Sequence, residues 1–253
     1  MSAVLWRYTP LFLIFVIWEA GTQTGLISKW ALPTFSAVVA AWLSLMQGGE
    51  LLYHAAASLM RGFAGLGLAI VVGTVLGVLM AWVKPIRVIF NPIVQIFYPM
   101  PKSALIPIMI LWLGLGHASK IVLIFLGCML PVTISAFNGA RGVEPVLIWS
   151  ARSLGATRGE VLREIILPAA MPEILAGIRT ALALSFVLLV SSELVIAREG
   201  LGYLIGWLGD GGVYASMFAV VLTVAGLGFV ADRLYLVLMK RRLAWREIGR
   251  AHV

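Results

Sequence analysis

The chain has 253 residues, of which 61% are apolar and only 12% are charged, whereas soluble domains average about 45–50% apolar and about 25% charged residues. A soluble globule of this size could not keep that much apolar surface from water, so a disordered protein and a plain cytosolic enzyme are both excluded. A single cysteine excludes a disulfide framework, and the three histidines show no metal-ligand spacing. The net charge of +8 fits membrane orientation better than nucleic-acid binding.

The apolar residues group into segments that predict six membrane-spanning helices. A span needs roughly 20 mostly apolar residues to cross about 30 Å of hydrocarbon. In chain order, the predicted spans cover residues 8–27, 62–82, 86–112, 119–137, 174–197 and 213–239. The first has one early arginine and no clear cleavage site, so it is interpreted as a retained anchor helix rather than a signal peptide. An amphipathic stretch that ends at residue 46 is too short to span, and we expect it to lie along the membrane surface.

Prolines interrupt the third predicted span, at Pro99, Pro101 and Pro107. A proline lacks a backbone donor and clashes with the preceding turn. A helix broken at membrane depth is tolerated only where protein or a watery cavity satisfies its free backbone groups. Because broken helices of this kind often line transport sites, Pro99, Pro101 and the adjacent Lys102 are candidate residues of a substrate pathway.

The distribution of basic residues predicts the orientation of the chain, since cytoplasmic loops carry an excess of Lys and Arg. One side of the predicted spans carries Arg7, Lys84, Arg87, Arg141, Arg152, Arg158, Arg163, Lys240, Arg241, Arg242, Arg246 and Arg250. The other side carries Lys29, Arg61, Lys120 and Arg198. This ratio of roughly three to one predicts that both termini and the segment 138–167 are cytoplasmic.

The segment between the fourth and fifth predicted spans has the pattern of two helices joined by a tight corner. Pro145 suits a first helical turn, and Gly155 is a natural helix terminator. Thr157 and Glu160 have the spacing of a capping box, which begins a second helix that re-enters the membrane at Pro168. Two interpretations are open: a short exposed helix that docks into a groove on a partner, or a connecting loop that packs against its own bundle.

This corner resembles the cytoplasmic motif of the permeases of binding-protein-dependent ABC importers. That motif reads Glu-Ala-Ala, three residues, Gly, nine residues, Ile, one residue and Leu-Pro. Its second half is matched in full by Gly155, Ile165, Leu167 and Pro168. In place of the opening Glu-Ala-Ala, this chain has Trp149, Ser150 and Ala151.

The similarity extends over about residues 33–245 and resembles the taurine, alkanesulfonate and nitrate branch of these permeases, in the runs 98–107, 111–120, 151–156 and 200–205. The resemblance implies an all-α integral membrane protein with six transmembrane helices, the type I ABC importer permease fold and a cytoplasmic coupling helix. The chain is then expected to divide into an anchor helix with an external amphipathic segment (1–50), a core permease domain (51–245, with its coupling segment at about 138–168) and a cytoplasmic tail (246–253).

The resemblance also implies partners. A second permease copy would complete the pore as a homodimer, two cytoplasmic ABC ATPases would bind the coupling helices, and a periplasmic binding protein would deliver the substrate in the bacterial cytoplasmic membrane. No cofactor or metal is expected on this chain, because ATP and Mg²⁺ would be held by the partner ATPase. The residues assigned to coupling are Trp149, Ser150, Ala151, Arg152, Ser153, Leu154, Gly155, Ala156, Ile165, Leu167 and Pro168.

No catalytic site is predicted, because the sequence has no phosphate-binding loop and no nucleophile–base constellation. The energy source of a pump would therefore be on another chain. A self-contained channel or secondary carrier is the alternative, although the sequence shows neither an internal repeat nor a series of titratable residues through the spans. A membrane enzyme is the third and weakest hypothesis.

Polar residues at membrane depth are functional candidates by default. Lys102 would either meet an anionic substrate or extend its ammonium to the membrane interface, and Glu193 would either line the pathway or pair with Arg198 or Arg179. Ser191 and Ser192 would offer hydroxyls to a substrate or bond to a carbonyl one turn back. Trp149 would either anchor the chain in an ATPase groove or lie at the lipid headgroups. The resemblance favours a small anion, namely a sulfonate, taurine or nitrate, as the transported solute, although related permeases also move heterocyclic vitamin precursors and aromatic acids.

Overall fold

The computed structural model describes residues 2–195 and 197–248, without the side chains of residues 2–8, 11 and 244–248. Every regular element in this part of the chain is a helix, in agreement with the predicted all-α class. In chain order the helices are α1 (Ser2–Gln23), α2 (Phe35–Gln47), α3 (Glu50–Trp82), α4 (Lys84–Phe97), α5 (Ile106–Leu113), α6 (His117–Arg141), α7 (Pro145–Ser153), α8 (Arg158–Val195), α9 (Leu201–Asp210) and α10 (Tyr214–Ile248). A 3₁₀ turn, Lys102–Leu105, precedes α5.

Four helices in the described part, α3, α6, α8 and α10, are long and apolar enough to cross a membrane. Helix α4 and the segment Lys102–Leu113 would add a fifth span if they cross as one. The predicted first span corresponds to α1, of which Phe12–Gln23 is an apolar helix with described side chains. By length and composition, four or five segments of the described chain can thus span a membrane, and the count of six stays a prediction. Arg250 and residues 249–253 of the predicted tail lie outside the described residues.

The predicted break in the third span is present. Helix α4 ends at Phe97, and the chain resumes in helical form at Lys102 with a bend of 96°. The bend includes Pro99 and Pro101, as expected from residues that cannot continue a helical hydrogen-bond ladder.

The helices differ from the prediction in two respects, the start of α3 and the presence of α9. Helix α3 starts at Glu50, well before residue 62, and Ser58 and Arg61 are buried side chains on this helix instead of residues of a loop. Nε of Arg61 donates a hydrogen bond to Nδ1 of His117 at 2.9 Å, so the buried cation has a polar neighbour. Helix α9, which follows the fifth span, was not predicted as a separate element.

Contacts within the chain group its described residues into two compact units. One comprises the described parts of Leu59–Ser192 and Gly228–Val253, and its core is built by α3, α6 and α8. Glycines bring α3 close to α6: a Cβ at Gly65 would lie 2.8 Å from the carbonyl oxygen of Ile121, and one at Gly73 would lie 2.9 Å from that of Met129. Small residues of this kind let membrane helices approach to backbone contact.

The other unit comprises the described parts of Met1–Ser58 and Glu193–Leu227. Its core packs Leu51 of α3 against α9 and α10, through Leu204, Leu208 and Val220. The predicted division of the chain at residues 50 and 245 stays a prediction, because these units are defined by contacts and not by function.

Candidate functional site

The corner after α7 is built by backbone hydrogen bonds that require a glycine. The amide of Ala156 donates to the carbonyl of Ala151 at 3.0 Å, and the amide of Gly155 donates to that of Arg152 at 3.0 Å. These two bonds form a Schellman motif, which ends a helix with one residue in the left-handed region. Gly155 takes that position, with φ of +92°, so the predicted helix terminator is confirmed.

We expect alanine at Gly155 to destabilise the chain by about 1–2 kcal/mol, because an L side chain is strained at positive φ. The thermal unfolding midpoint of the purified chain in detergent should fall by about 4 °C. Gly159 offers a matched control, since it lies on the first turn of α8, has no positive φ and would meet nothing within 4 Å of an added Cβ. Equal shifts for Gly155→Ala and Gly159→Ala would contradict the assigned role of the corner.

One side of α7 is anchored and the other is exposed. Ile148 and Ala151 pack against the core of α3, α6 and α8, and so does Ala156 after the corner. In contrast, Trp149 is 65% exposed and Leu154 is 89% exposed. The remaining predicted coupling residues of this helix, Ser150, Arg152 and Ser153, are also exposed. The arrangement is a short helix that presents apolar side chains outward from a fixed position.

The second helix starts with the capping box that the sequence predicts. The amide of Glu160 donates to Oγ1 of Thr157 at 3.4 Å, and the amide of Thr157 donates to a carboxylate oxygen of Glu160 at 2.7 Å. From this cap the chain continues as one helix through Pro168 to Val195. The predicted entry helix and fifth span are therefore a single element.

A π-helical segment, Val161–Ile166, ends two residues before Pro168. Proline cannot donate to the carbonyl one turn back and its ring crowds that carbonyl, and a π turn accommodates such a defect without ending the helix. Ile165 and Leu167 pack against the core while Pro168 is exposed. Ile165 and Leu167 thus hold α8 against the core, whereas most of the exposed motif residues lie in the α7 half.

Lys102 caps the broken end of α4. Its Nζ donates to the backbone carbonyls of Phe97 at 2.7 Å, Tyr98 at 3.0 Å and Met100 at 2.6 Å. A lysine ammonium has three donors, and all three are used here. Cations at a helix C-terminus are stabilised by the free carbonyls and by the helix dipole, so the geometry favours a structural role at the bend between Pro99 and Pro101.

Glu193 binds the N-terminus of α9. Its side chain is 1% exposed, and its Oε2 accepts hydrogen bonds from Oγ of Ser58 at 2.8 Å and from the amide of Gly202 at 3.0 Å. The amide of Leu201 donates to Oγ of Ser58 at 2.8 Å, and that of Gly200 donates to Nδ1 of His54 at 3.0 Å. A carboxylate at a helix N-terminus is favoured by the free amides and the dipole.

For the other candidate pathway residues, the structure contradicts one predicted contact and shows another. Arg179 forms a bidentate pair with Asp232, at 2.7 and 3.1 Å, so the suggested pair of Arg179 with Glu193 is wrong. Oγ of Ser192 donates to the carbonyl of Leu189 at 2.8 Å, which is the backbone bond that we gave as one alternative. Ser191 is half-buried. Lys102 and Glu193 belong to different compact units, and a role in substrate transport stays a prediction for this set.

An open cleft that the sequence analysis did not identify lies between α3, α4 and α6. Its volume is about 320 Å³, and its polar lining consists of Asn91, Gln95, Tyr98, Thr133 and Asn138. The spacing of Asn91, Gln95 and Tyr98 at i, i+4 and i+7 places them on one face of α4, which is a signal that the sequence carries. That this face of α4 lies opposite α6 depends on the tertiary fold and could not be read from the spacing.

Among the described residues, no group of three His, Cys, Asp or Glu side chains could hold a metal ion.

Comparison with known proteins gives consistent matches over most of the chain. The sequence profile of a family described as binding-protein-dependent transport system inner membrane component matches residues 69–243. The taurine transport system permease protein TauC of Escherichia coli (strain K12) is 35% identical over 240 residues, which are 93% of this chain and 87% of that protein. The aliphatic sulfonates transport permease protein SsuC of Bacillus subtilis (strain 168) is 34% identical over 234 residues, which are 92% and 85% of the two proteins.

Solved structures share the fold at low sequence identity. A chain of the MetNI methionine ABC transporter in an inward-facing conformation superposes with a TM-score of 0.66 at 20% identity, over 78% of this chain and 97% of that chain. A chain of an amino acid ABC transporter crystallised with histidines gives a TM-score of 0.62 at 17% identity, over 79% and 95% of the two chains.

Proposed function

This chain belongs to the family of inner membrane components of binding-protein-dependent transport systems and is a permease subunit of an ABC transporter, and we propose that it imports a small organic sulfonate such as taurine. The names of two relatives that align with more than nine-tenths of this chain, TauC and SsuC, support this solute class. The solute would be delivered by a periplasmic binding protein. ATP and Mg²⁺ would be held by a separate ATPase subunit, so the permease itself would carry no catalytic residue.

The observation that carries the proposed coupling mechanism is the exposed apolar side of α7. Trp149 and Leu154 are exposed on a helix whose opposite side is fixed to the core. Exposed aromatic and aliphatic side chains on a rigid helix suit insertion into a groove of a partner. We assign this groove to the ABC ATPase, with Trp149 as an anchor and Arg152 beside it on the exposed side.

Helix α8 provides a path from the docking helix into the membrane. It has 38 residues, which corresponds to about 57 Å of helix at about 1.5 Å per residue. Because α7 is joined to it through the tight corner at Gly155, a displacement of α7 would be transmitted along α8 without an intervening loop. ATP-driven closure of two ATPases would thereby open the pore outward, and hydrolysis would return it inward.

The proposed assembly contains two copies of this chain, two ATPases and one binding protein. Both termini and the α7 corner would be cytoplasmic, as the distribution of basic residues predicts. A homodimer is proposed because this branch of permeases usually has a single permease type. A self-contained channel or carrier is the alternative, and it would neither need nor retain an ATPase during purification.

The experiment that tests the docking role replaces Leu154 with aspartate. Its side chain is 89% exposed, so the fold should not change, but a charge placed in an apolar groove is costly. We expect the amount of ATPase that copurifies with the permease, and the uptake of taurine by cells, to fall about tenfold, which corresponds to about 1.4 kcal/mol.

The matched control is Leu26→Asp, since Leu26 is 85% exposed and lies outside the corner. This control should keep ATPase binding and uptake near the unmodified values, and membrane insertion should be unchanged in both variants. Normal ATPase binding and uptake for Leu154→Asp would contradict the docking role of α7.

A further inference from the structure

We propose that the cleft between α3, α4 and α6 is a binding site for a small sulfonate during its passage through the permease. This inference rests on the proposed function and adds to it the residues that would hold the solute. The volume of about 320 Å³ lies at the lower end of the range of about 300–1,000 Å³ that is typical of small-molecule sites. The cleft is open to the outside of the chain, as a site of passage must be.

The first argument is the set of amide side chains that line the cleft. In the described chain, the side chains of Asn91, Gln95 and Asn138 line the cleft without a hydrogen bond to any protein group. Each offers an NH₂ group with two donors. Gln95 and Asn138 are exposed and Asn91 is half-buried, so these groups are free to bond to water or to a polar solute that enters the cleft. A sulfonate, with three acceptor oxygens, matches an array of amide donors.

The second argument is the charge at one end of the cleft. The ring of Phe137, which is part of the lining, has the guanidinium carbons of Arg87 and Arg141 at 5.9 and 5.6 Å from its centroid. The Arg87 group donates to the carbonyls of Met80 and Ala81, at 2.8 and 2.6 Å, so it is held in place by the backbone. Cations near a cleft raise the local concentration of anions without direct contact, and one of these two is fixed.

The third argument is the lack of a charged side chain among the described residues that line the cleft. The lining residues in the described chain are all uncharged, and Val94 and Ile134 add apolar surface for a short alkyl chain. A transport site must bind its solute strongly enough for entry and weakly enough for release. Neutral hydrogen-bond donors beside distant cations meet both demands, whereas a buried ion pair would hold the anion too firmly.

The test uses a cysteine reporter in the cleft. Cys128, the single cysteine of the sequence, is buried, and Cys128→Ala gives a permease chain without a thiol, so that modification is measured on this chain alone. Ile134→Cys then places a thiol in the lining and leaves every amide intact. The assembled transporter in membranes is treated with the anionic reagent 2-sulfonatoethyl methanethiosulfonate, with taurine, ethanesulfonate or the sulfonate-free analogue 2-aminoethanol as protecting solute.

We expect taurine and ethanesulfonate to slow the modification of the reporter at least about threefold, and 2-aminoethanol to leave it unchanged. Adding Gln95→Leu should abolish the protection. Adding Gln47→Leu, which changes an exposed glutamine on α2, should retain it. This pattern would support the site.

Two results would overturn the inference: no protection by either sulfonate while the unmodified transporter takes up taurine, or equal protection with Gln95→Leu and Gln47→Leu. Equal protection by 2-aminoethanol would overturn the assigned sulfonate class. Failure of the unmodified transporter to take up either sulfonate would instead contradict the proposed function, so the two failures are distinguishable.

Discussion

Replacing Gly200 with alanine is expected to lower the free energy of unfolding by about 4 kcal/mol, since two penalties add. The backbone of Gly200 has φ of +114°, and an added Cβ would overlap the carboxyl group of Glu193. That carboxyl group cannot move aside cheaply, because it is buried and holds hydrogen bonds to Ser58 and to the amide of Gly202. The thermal unfolding midpoint in detergent should fall by about 10 °C.

Gly212 separates the two penalties. It has φ of +71°, but an added Cβ would meet nothing within 4 Å, so Gly212→Ala should cost only the backbone strain of about 1–2 kcal/mol. Both positions lie in the same compact unit. Equal destabilisation of Gly200→Ala and Gly212→Ala would show that the carboxylate of Glu193 does not restrict this turn.

Replacing Lys102 with methionine is expected to destabilise the chain by about 3 kcal/mol and to lower uptake in proportion to the loss of folded permease. Methionine keeps the apolar stem and removes the ammonium, which leaves the carbonyls of Phe97, Tyr98 and Met100 without their donor. Hydrogen bonds to a charged group contribute about 1.5–3 kcal/mol each, and partial exposure of the bend reduces their sum. The measurement is the thermal unfolding midpoint together with uptake per folded molecule.

Lys84→Met is the matched control, because Lys84 is an exposed lysine at the opposite end of the same helix. It should leave the unfolding midpoint within about 1 °C of the unmodified chain, as surface changes typically do. A stable Lys102→Met variant with reduced uptake per folded molecule would contradict the capping role. It would restore the interpretation of Lys102 as a ligand for an anionic solute.

Local rules predicted the corner correctly because its geometry is decided by neighbours in sequence. Gly155 ends a helix, and Thr157 with Glu160 starts the next one, through hydrogen bonds that span only three to five residues. The role of Lys102 is equally local, and the preference of cations for helix C-termini was the signal that could have indicated it.

The environment of Glu193 could not be predicted in the same way. Its partner Ser58 is 135 residues away in sequence, and helix α9, whose N-terminus it binds, was itself missed. A carboxylate in an apolar segment indicates only that some partner exists. Which partner it has depends on how α3 and α9 pack, and Arg179 was unavailable because it pairs with Asp232.

The glycine contacts between α3 and α6 restrict how the permease can change shape. At Gly65 and Gly73 an added Cβ would collide with main-chain oxygens of α6 and with the β-branched side chains of Ile124 and Val132, so the two helices are packed too closely to slide past each other. We therefore expect these helices to travel as one rigid body throughout a transport cycle. A hinge must then be sought elsewhere, at the bend near Pro99, where the chain already departs from regular helix.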